Sequence, residues 1–195
     1  LLACCEALEL PFLFHLSPGE NWGYGAVDRQ GLPLLERALQ KYPGLVFIGH
    51  SKAFWFELSR YPGEASGAVR NSCPRTPVVE GRLPELFARY DNLYGDLSAG
   101  GGANAVMRDP DFGIRFMERF KDRLMFGTDV VLGEGTPPGE ENYPGEEKLP
   151  GGESGTGGER CLGGGPAPLP PLSLWLDDLV LAGRISETAY RKICR

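Results

Sequence analysis

Histidine is scarce in this sequence, and long apolar runs and basic clusters are absent from it. Only two histidines occur among 195 residues. No apolar run approaches the roughly 20 residues of a transmembrane helix, and no basic segment precedes a short apolar core as in a signal peptide. Lysine and arginine number 20 against 26 acidic residues, a formal net charge of −6. We therefore expect neither a membrane partner nor a nucleic-acid partner.

The spacing of the cysteines does not indicate a structural site. The five cysteines are odd in number and form no Cys-x-x-Cys pair. Neither a disulfide framework nor a zinc ribbon is expected from this spacing. The reducing cytoplasm is therefore the predicted location.

Short apolar runs alternate with amphipathic helical patterns along the chain. Strands are predicted at 10–16, 45–49, 92–94 and 124–126. Helices are predicted at 1–9, 32–42, 52–60, 83–90, 111–120, 172–182 and 186–194. Asp109 with Pro110, and Ser186, are expected to begin two of these helices, and the glycines at 100–102 are expected to form a flexible turn.

This alternation predicts an α/β fold with a parallel sheet covered by helices. A doubly wound sheet and a (β/α)8 barrel both fit, although no glycine fingerprint for a nucleotide follows a strand. An intact barrel takes about 250 residues. We therefore predict the C-terminal half of a (β/α)8 TIM barrel, built from four strand–helix units. The chain begins with Leu1 rather than methionine, and we expect it to be a fragment with further sequence upstream.

Composition divides the chain into three segments. Residues 1–132 are predicted to hold the half-barrel units, and residues 172–195 the C-terminal helices of the same domain. Residues 133–171 are rich in glycine, proline and glutamate, which is typical of a disordered low-complexity insert. Such a long loop is unusual in a compact domain. It is either an insertion or an error in the gene model.

Potential metal ligands stand at the ends of the apolar runs. His15, His50, Asp96 and Asp129 occupy these positions, and in a barrel the active-site residues lie at the carboxyl ends of the strands. Imidazoles and carboxylates are the usual ligands of a divalent catalytic metal, with zinc the expected ion. The alternative for each histidine is a ring bonded to backbone, and for Asp129 a turn or helix cap. Trp22 and Asp96 are predicted to contact substrate.

Several motifs together resemble the amidohydrolase-related (amidohydrolase 2) family. They are Leu10-Pro-Phe-Leu-Phe-His15, Phe47-Ile-Gly-His50, Leu93-Tyr-Gly-Asp96, Met125-Phe-Gly-Thr-Asp129 and the ending Ile185-Ser-Glu-Thr-Ala-Tyr-Arg-Lys-Ile-Cys194. The resemblance covers most of the chain outside the glycine- and proline-rich insert. It implies a TIM barrel of the metal-dependent hydrolase superfamily. That family includes hydrolases and also nonoxidative decarboxylases of the aminocarboxymuconate-semialdehyde and resorcylate types.

The resemblance also implies roles for individual residues. His15 matches the metal ligand of the fifth strand, and His50 the sixth-strand histidine that polarises or orients substrate. Asp129 matches the eighth-strand aspartate, which is both ligand and base, whereas Asp96 lies on the seventh strand, where the family has no fixed ligand. The family's first-strand His-x-His pair has no counterpart here, so only His15 and Asp129 remain as implied ligands.

Three functions follow from these implied roles. The first is a metal-dependent hydrolase that acts on a carbonyl-containing small molecule, with His50 and Asp129 as catalytic residues. The alternatives are a nonoxidative decarboxylase of the same family and a non-catalytic truncated half-barrel. A half-barrel exposes sheet edges and an apolar face, which favours pairing, so a homodimer is the expected assembly if the chain acts alone.

Overall fold

All the strands that the structure describes run parallel. The structure is a computed structural model, and it describes residues 1–129 and 171–194. The strands are β1 (Phe12–Ser17), β2 (Ala26–Val27), β3 (Phe47–His50), β4 (Leu93–Asp96) and β5 (Leu124–Met125). They form one sheet in the order β2-β1-β3-β4-β5. The predicted α/β class with a parallel sheet is confirmed, and the sheet is consistent with part of a TIM-barrel-like fold.

Nine helices lie in the described part of the chain. They are α1 (Leu2–Ala7), α2 (Pro33–Lys41), α3 (Lys52–Phe56), α4 (Gly67–Arg70), α5 (Arg82–Arg89), α6 (Ala99–Met107), α7 (Pro110–Phe120), α8 (Leu172–Leu181) and α9 (Glu187–Ile193). The predicted caps are confirmed, because a carboxylate oxygen of Asp109 accepts from Phe112 N at 3.1 Å and Ser186 Oγ accepts from Ala189 N at 3.1 Å.

Strand β2 was not predicted. It pairs with β1 on the side away from β3, where Leu16 faces Ala26 and Ser17 faces Val27. Apart from β2, the strands lie next to one another in chain order, as successive units of a barrel do. The division into exactly four units, with a half-barrel outline, remains a prediction.

The two faces of the sheet differ in burial. Phe14, Phe47, Leu93 and Leu124 point to one face and are buried in the core. The opposite face of β1 carries Leu13, whose side chain is 58% exposed. Because alternate residues of a strand point to opposite faces, His15 and Leu13 share this more open face.

The glycines at 100–102 lie inside helix α6, so the predicted flexible turn is wrong. All three are buried. A Cβ on Gly102 would lie 2.4 Å from the carbonyl carbon of Leu97, and one on Gly101 would lie 3.1 Å from Cγ of Lys52. These glycines allow close packing of α6 against the chain before it and against α3.

The predicted insert at 133–171 lies outside the described residues except for its last residue, and the proposed domain boundaries remain predictions.

The cysteines differ in their bonding. Cys4, Cys5 and Cys194 are free, whereas Cys73 is disulfide-bonded, which the cysteine pattern did not predict. In the described ranges no helix is long and apolar enough to cross a membrane.

Candidate functional site

Three neighbouring strands carry, at or near their carboxyl ends, residues that the sequence predicts for the site: His50 and Asp96 end β3 and β4, and His15 lies two residues before the end of β1. His15 and His50 are register partners on β1 and β3, and their ring centroids lie 5.4 Å apart. Asp96 ends β4, next to β3 in the sheet. The parallel arrangement therefore brings residues from distant parts of the chain to one edge.

His50 is held by a short network of hydrogen bonds. Its Nδ1 lies 2.9 Å from Asp96 Oδ2. The same carboxylate oxygen accepts a hydrogen bond from Ser98 Oγ at 2.6 Å, and Asp96 Oδ1 accepts one from Ser98 N at 2.9 Å. A carboxylate at Nδ1 favours the imidazole form with a proton on Nδ1, so that Nε2 of His50 is directed away from Asp96.

Asp129 approaches the other side of the His50 ring. Its Oδ2 lies 3.8 Å from His50 Nε2, and its side chain is 46% exposed. Asp129 follows β5 by four residues, so the loop after the strand delivers it. The imidazole of His50 thus lies between two carboxylates, one half-buried and one open to solvent.

Strained backbone accompanies this cluster. Ser51, Ala99 and Asp129 adopt φ angles of 111°, 56° and 57°, values that are uncommon for residues other than glycine, although aspartate adopts the left-handed region more readily than serine or alanine. Each lies within three residues of a site residue or is one itself. Such strain costs on the order of 1–3 kcal/mol per residue and is typical of functional sites.

A tryptophan binds the backbone of Asp96, and a glycine lies next to its carboxylate. Trp55 Nε1 donates to the backbone oxygen of Asp96 at 2.8 Å. A Cβ on Gly127 would lie 3.3 Å from Asp96 Oδ1 and 3.0 Å from Ser98 Cβ. The small residue in the Phe-Gly-Thr-Asp129 motif therefore leaves room for the Asp96 carboxylate.

The two histidines have pKa values shifted in opposite directions. The hydrogen bond with Asp96 raises the pKa of His50 above its usual value, against the effect of burial. Burial, together with the nearby His50, lowers the pKa of His15. Burial alone would raise the pKa of Asp96, but its hydrogen bonds with His50 and Ser98 outweigh that effect and lower it. Near neutral pH the geometry favours a neutral His15 and a more readily protonated His50.

Replacement of Asp96 by asparagine should make stability less dependent on the charge of His50. The pKa of His50 is raised on folding. Its contribution to folding stability is therefore fully present below the unfolded-state pKa of about 6.5, and it is lost as pH rises through the folded-state pKa. The lowered pKa of Asp96 adds stability above about pH 3.9 that is lost as pH falls through the folded value. We therefore expect the free energy of unfolding, measured in urea, to be higher for wild type than for Asp96→Asn, with the largest difference between about pH 4 and pH 6.5. An equal difference in the free energy of unfolding at pH 5 and at pH 8.5 would contradict an ion pair between His50 and Asp96.

Trp22 and Tyr24 are placed differently by the loop after β1. The ring of Tyr24 lies against His15, with centroids 4.6 Å apart. Trp22 packs against α4, because a Cβ on Gly67 would lie 2.6 Å from Trp22 Nε1. The substrate contacts predicted for Trp22 and Asp96 remain predictions, and the Asp96 carboxylate is already engaged by His50 and Ser98.

A cavity lies away from this edge of the sheet. It has a volume of about 310 Å³ and is lined by residues near the start of α2, the end of α3 and the start of α5, including Gln30, Glu57, Tyr61 and Arg82. None of the four predicted strand-end residues lines it. The hydrogen-bonded cluster at the strand ends is therefore separate from this cavity.

One of three comparisons with known proteins gave a match. A family model described as Amidohydrolase matches residues 1–195, which is the full sequence. The chain belongs to this amidohydrolase family. Searches of curated proteins and of solved structures gave no significant match. Members of the superfamily are generally metal-dependent, and membership suggests that this amidohydrolase is an enzyme.

A metal ion does not fit the described residues of this amidohydrolase by themselves. Within residues 1–129 and 171–194, no three histidine, cysteine, aspartate or glutamate side chains converge as a metal site would require. Catalytic zinc sites usually have three protein ligands. His15 and Asp129 stay predicted ligands, and the predicted zinc ion stays a prediction.

Sequence reasoning missed the supporting residues of the site. Ser98 and Trp55 donate hydrogen bonds to Asp96, and Gly127 leaves room for its carboxylate. Trp55 was considered only as a pocket-lining aromatic residue, and no role was predicted for Ser98 or Gly127. The available signal was the Asp96-Leu-Ser98 spacing, because a serine two residues after an aspartate can bond that carboxylate in a local turn.

Proposed function

We propose that this amidohydrolase hydrolyses a carbonyl-containing small molecule at the edge where β1, β3 and β4 end. The observation that carries the proposal is the position of His50, with Nδ1 held by Asp96 at 2.9 Å and Nε2 facing Asp129 at 3.8 Å. An oriented imidazole beside a solvent-accessible carboxylate supplies both an acid and a base, as ester or amide hydrolysis requires.

His50 is proposed to stabilise the negative charge that develops on the carbonyl oxygen. Its raised pKa favours the protonated ring, and Asp96 holds that ring in one orientation. A protonated Nε2 can then donate to the oxyanion and pass its proton to the leaving group. Asp96 is a positioning residue in this scheme, because its carboxylate is occupied by His50 and Ser98.

Asp129 is proposed to be the general base. Its carboxylate is open to solvent, so a water molecule can reach it. The water oxygen attacks the carbonyl carbon as Asp129 takes a proton from it, and the carbonyl π electrons move to the oxygen. Collapse of this intermediate breaks the bond to the leaving group, which takes a proton from His50.

The proposal is tested with His50→Gln in the full chain. Hydrolysis of p-nitrophenyl esters and lactones would be followed by proton release at constant pH, and hydrolysis of N-acyl amides by the amine that is released. We expect His50→Gln to lower kcat/KM on any accepted substrate by about 100-fold or more. Glu85→Gln is the matched control, because it removes one charge at an exposed position. Equal turnover in the two variants would overturn the role of His50.

A second assay, which measures carbon dioxide, separates the alternatives. Release of carbon dioxide from aromatic or enolic carboxylates, without ester or amide hydrolysis, would favour the nonoxidative decarboxylase. Absence of both reactions, with a cooperatively folded chain, would favour the non-catalytic truncated half-barrel.

A further inference from the structure

Ser98 stands at the N-cap of helix α6, but its side chain does not cap that helix. A serine at this position ordinarily accepts a hydrogen bond from a backbone N–H in the first turn. Ser51, Ser66 and Ser186 cap their helices in this way, as does Asp109. The Ser98 hydroxyl is thus directed to something other than helix stability.

The hydroxyl is directed to the Asp96–His50 pair. Ser98 Oγ donates to Asp96 Oδ2 at 2.6 Å and lies 3.2 Å from His50 Nδ1. Asp96 Oδ2 is the same oxygen that binds Nδ1. Ser98 Oγ and His50 Nδ1 therefore share one carboxylate oxygen, and rotation of the Asp96 carboxylate would break both of these hydrogen bonds together.

Packing keeps Ser98 in this position. Its side chain is buried, with 5% of the residue exposed. The next residue, Ala99, has a φ of 56°, and a Cβ on Gly102 would lie 2.4 Å from the backbone of Leu97. Close contact of α6 with the chain at 97–99 thus leaves the serine little freedom to turn toward the helix.

We propose that Ser98 is a positioning residue that orients His50 by fixing the carboxylate of Asp96. This inference rests on the proposed function for its catalytic consequence, since an oriented His50 is the group that the proposed hydrolysis uses. The orientation of His50 by Ser98 can be tested without measuring turnover. The Ser98 hydroxyl locks Asp96 Oδ2 onto Nδ1, which holds Nε2 of His50 toward Asp129.

The test is nuclear magnetic resonance of the full chain with 15N-labelled histidine. Only two histidines contribute signals, and His15→Gln assigns them. We expect a protected Nδ1–H signal for His50 in wild type. In Ser98→Ala the exchange of this proton with water should be faster by about fivefold or more, as expected when one hydrogen bond of a shared set is lost. Ser98→Thr, which keeps the hydroxyl, should restore the protection.

Ser186→Ala is the matched control. Its hydroxyl caps helix α9 by accepting from Ala189 N, so its loss should lower Tm without changing the His50 signal. Ser98→Ala should show the reverse, a changed His50 signal with a smaller change in Tm. An unchanged Nδ1–H signal in folded Ser98→Ala would overturn the inference.

The two proposals can fail separately. A changed His50 signal in Ser98→Ala without any hydrolysis by wild type would support the positioning role and count against the proposed reaction. Hydrolysis that is lost in His50→Gln, with an unchanged His50 signal in Ser98→Ala, would support the reaction and reject the role of Ser98. If Ser98→Ala does not fold, Ser98→Cys removes the strong hydroxyl donor at similar volume, and the same signal decides.

Discussion

Replacement of Asp129 by asparagine should abolish nearly all activity of the full-length protein and leave the fold intact. A general base contributes about 100-fold to 10,000-fold to the rate, and asparagine cannot accept the proton from water. The side chain is 46% exposed, so little packing is lost. Asparagine also tolerates the left-handed backbone found at this position, which removes strain as an explanation for a loss of turnover.

Asp91→Asn is the matched control for this variant, because the Asp91 side chain is fully exposed and lies outside the site. The measurement is kcat/KM on an accepted substrate, with Tm recorded for each protein. We expect all three proteins to unfold at similar temperatures and only Asp129→Asn to lose turnover. Retention of wild-type kcat/KM in Asp129→Asn would refute the assignment of Asp129 as the general base. His50 would then be the remaining candidate for that role.

Local sequence signals predicted much of the fold. The amphipathic pattern at 32–42 corresponds to α2, in which Leu35 and Leu39 are buried. The apolar runs that end at His15 and His50 correspond to β1 and β3. These elements could be predicted because the burial pattern and the helix-start residues act over a few neighbouring positions.

Strand β2 and helix α6 could not be predicted in the same way. Strand β2 has only two residues, both exposed, which is too short for a periodic pattern, and its pairing with β1 depends on the path of the preceding loop. The glycines of α6 are poor helix formers, and they favour a turn when considered alone. Their helical conformation depends on close contact with Leu97 and Lys52, which only the tertiary structure brings near.

The candidate site shows the same division. The strand-end positions of His15, His50 and Asp96 followed from the alternation of runs and from the rule that parallel strands end at one edge. The hydrogen bond of Asp96 with His50 did not follow, because it depends on side-chain directions across 46 residues of chain. The bond from Ser98, two residues away, had a local signal in the Asp96-Leu-Ser98 spacing. The sequence thus predicted which residues meet but not which of them are bonded.

Replacement of Gly49 by alanine should destabilise the protein strongly and disturb His50 at the same time. A Cβ on Gly49 would lie 2.2 Å from the ring of Phe54. That ring is fully buried and packs edge-on against Phe14 and Trp55, so it cannot move aside without displacing the core. Overpacking of this kind costs about 1–3 kcal/mol and occasionally more, and β3 is the strand that carries His50.

Thermal unfolding and the His50 signal should therefore change together in Gly49→Ala. We expect a decrease in Tm of about 2–4 °C for each kcal/mol lost in a protein of this size. Gly19→Ala is the control, because its Cβ would meet Trp22 only at 3.4 Å, an ordinary contact. A Gly49→Ala protein as stable as Gly19→Ala would show that α3 can move away from β3. The close packing of Phe54 could then no longer be the reason that glycine precedes His50.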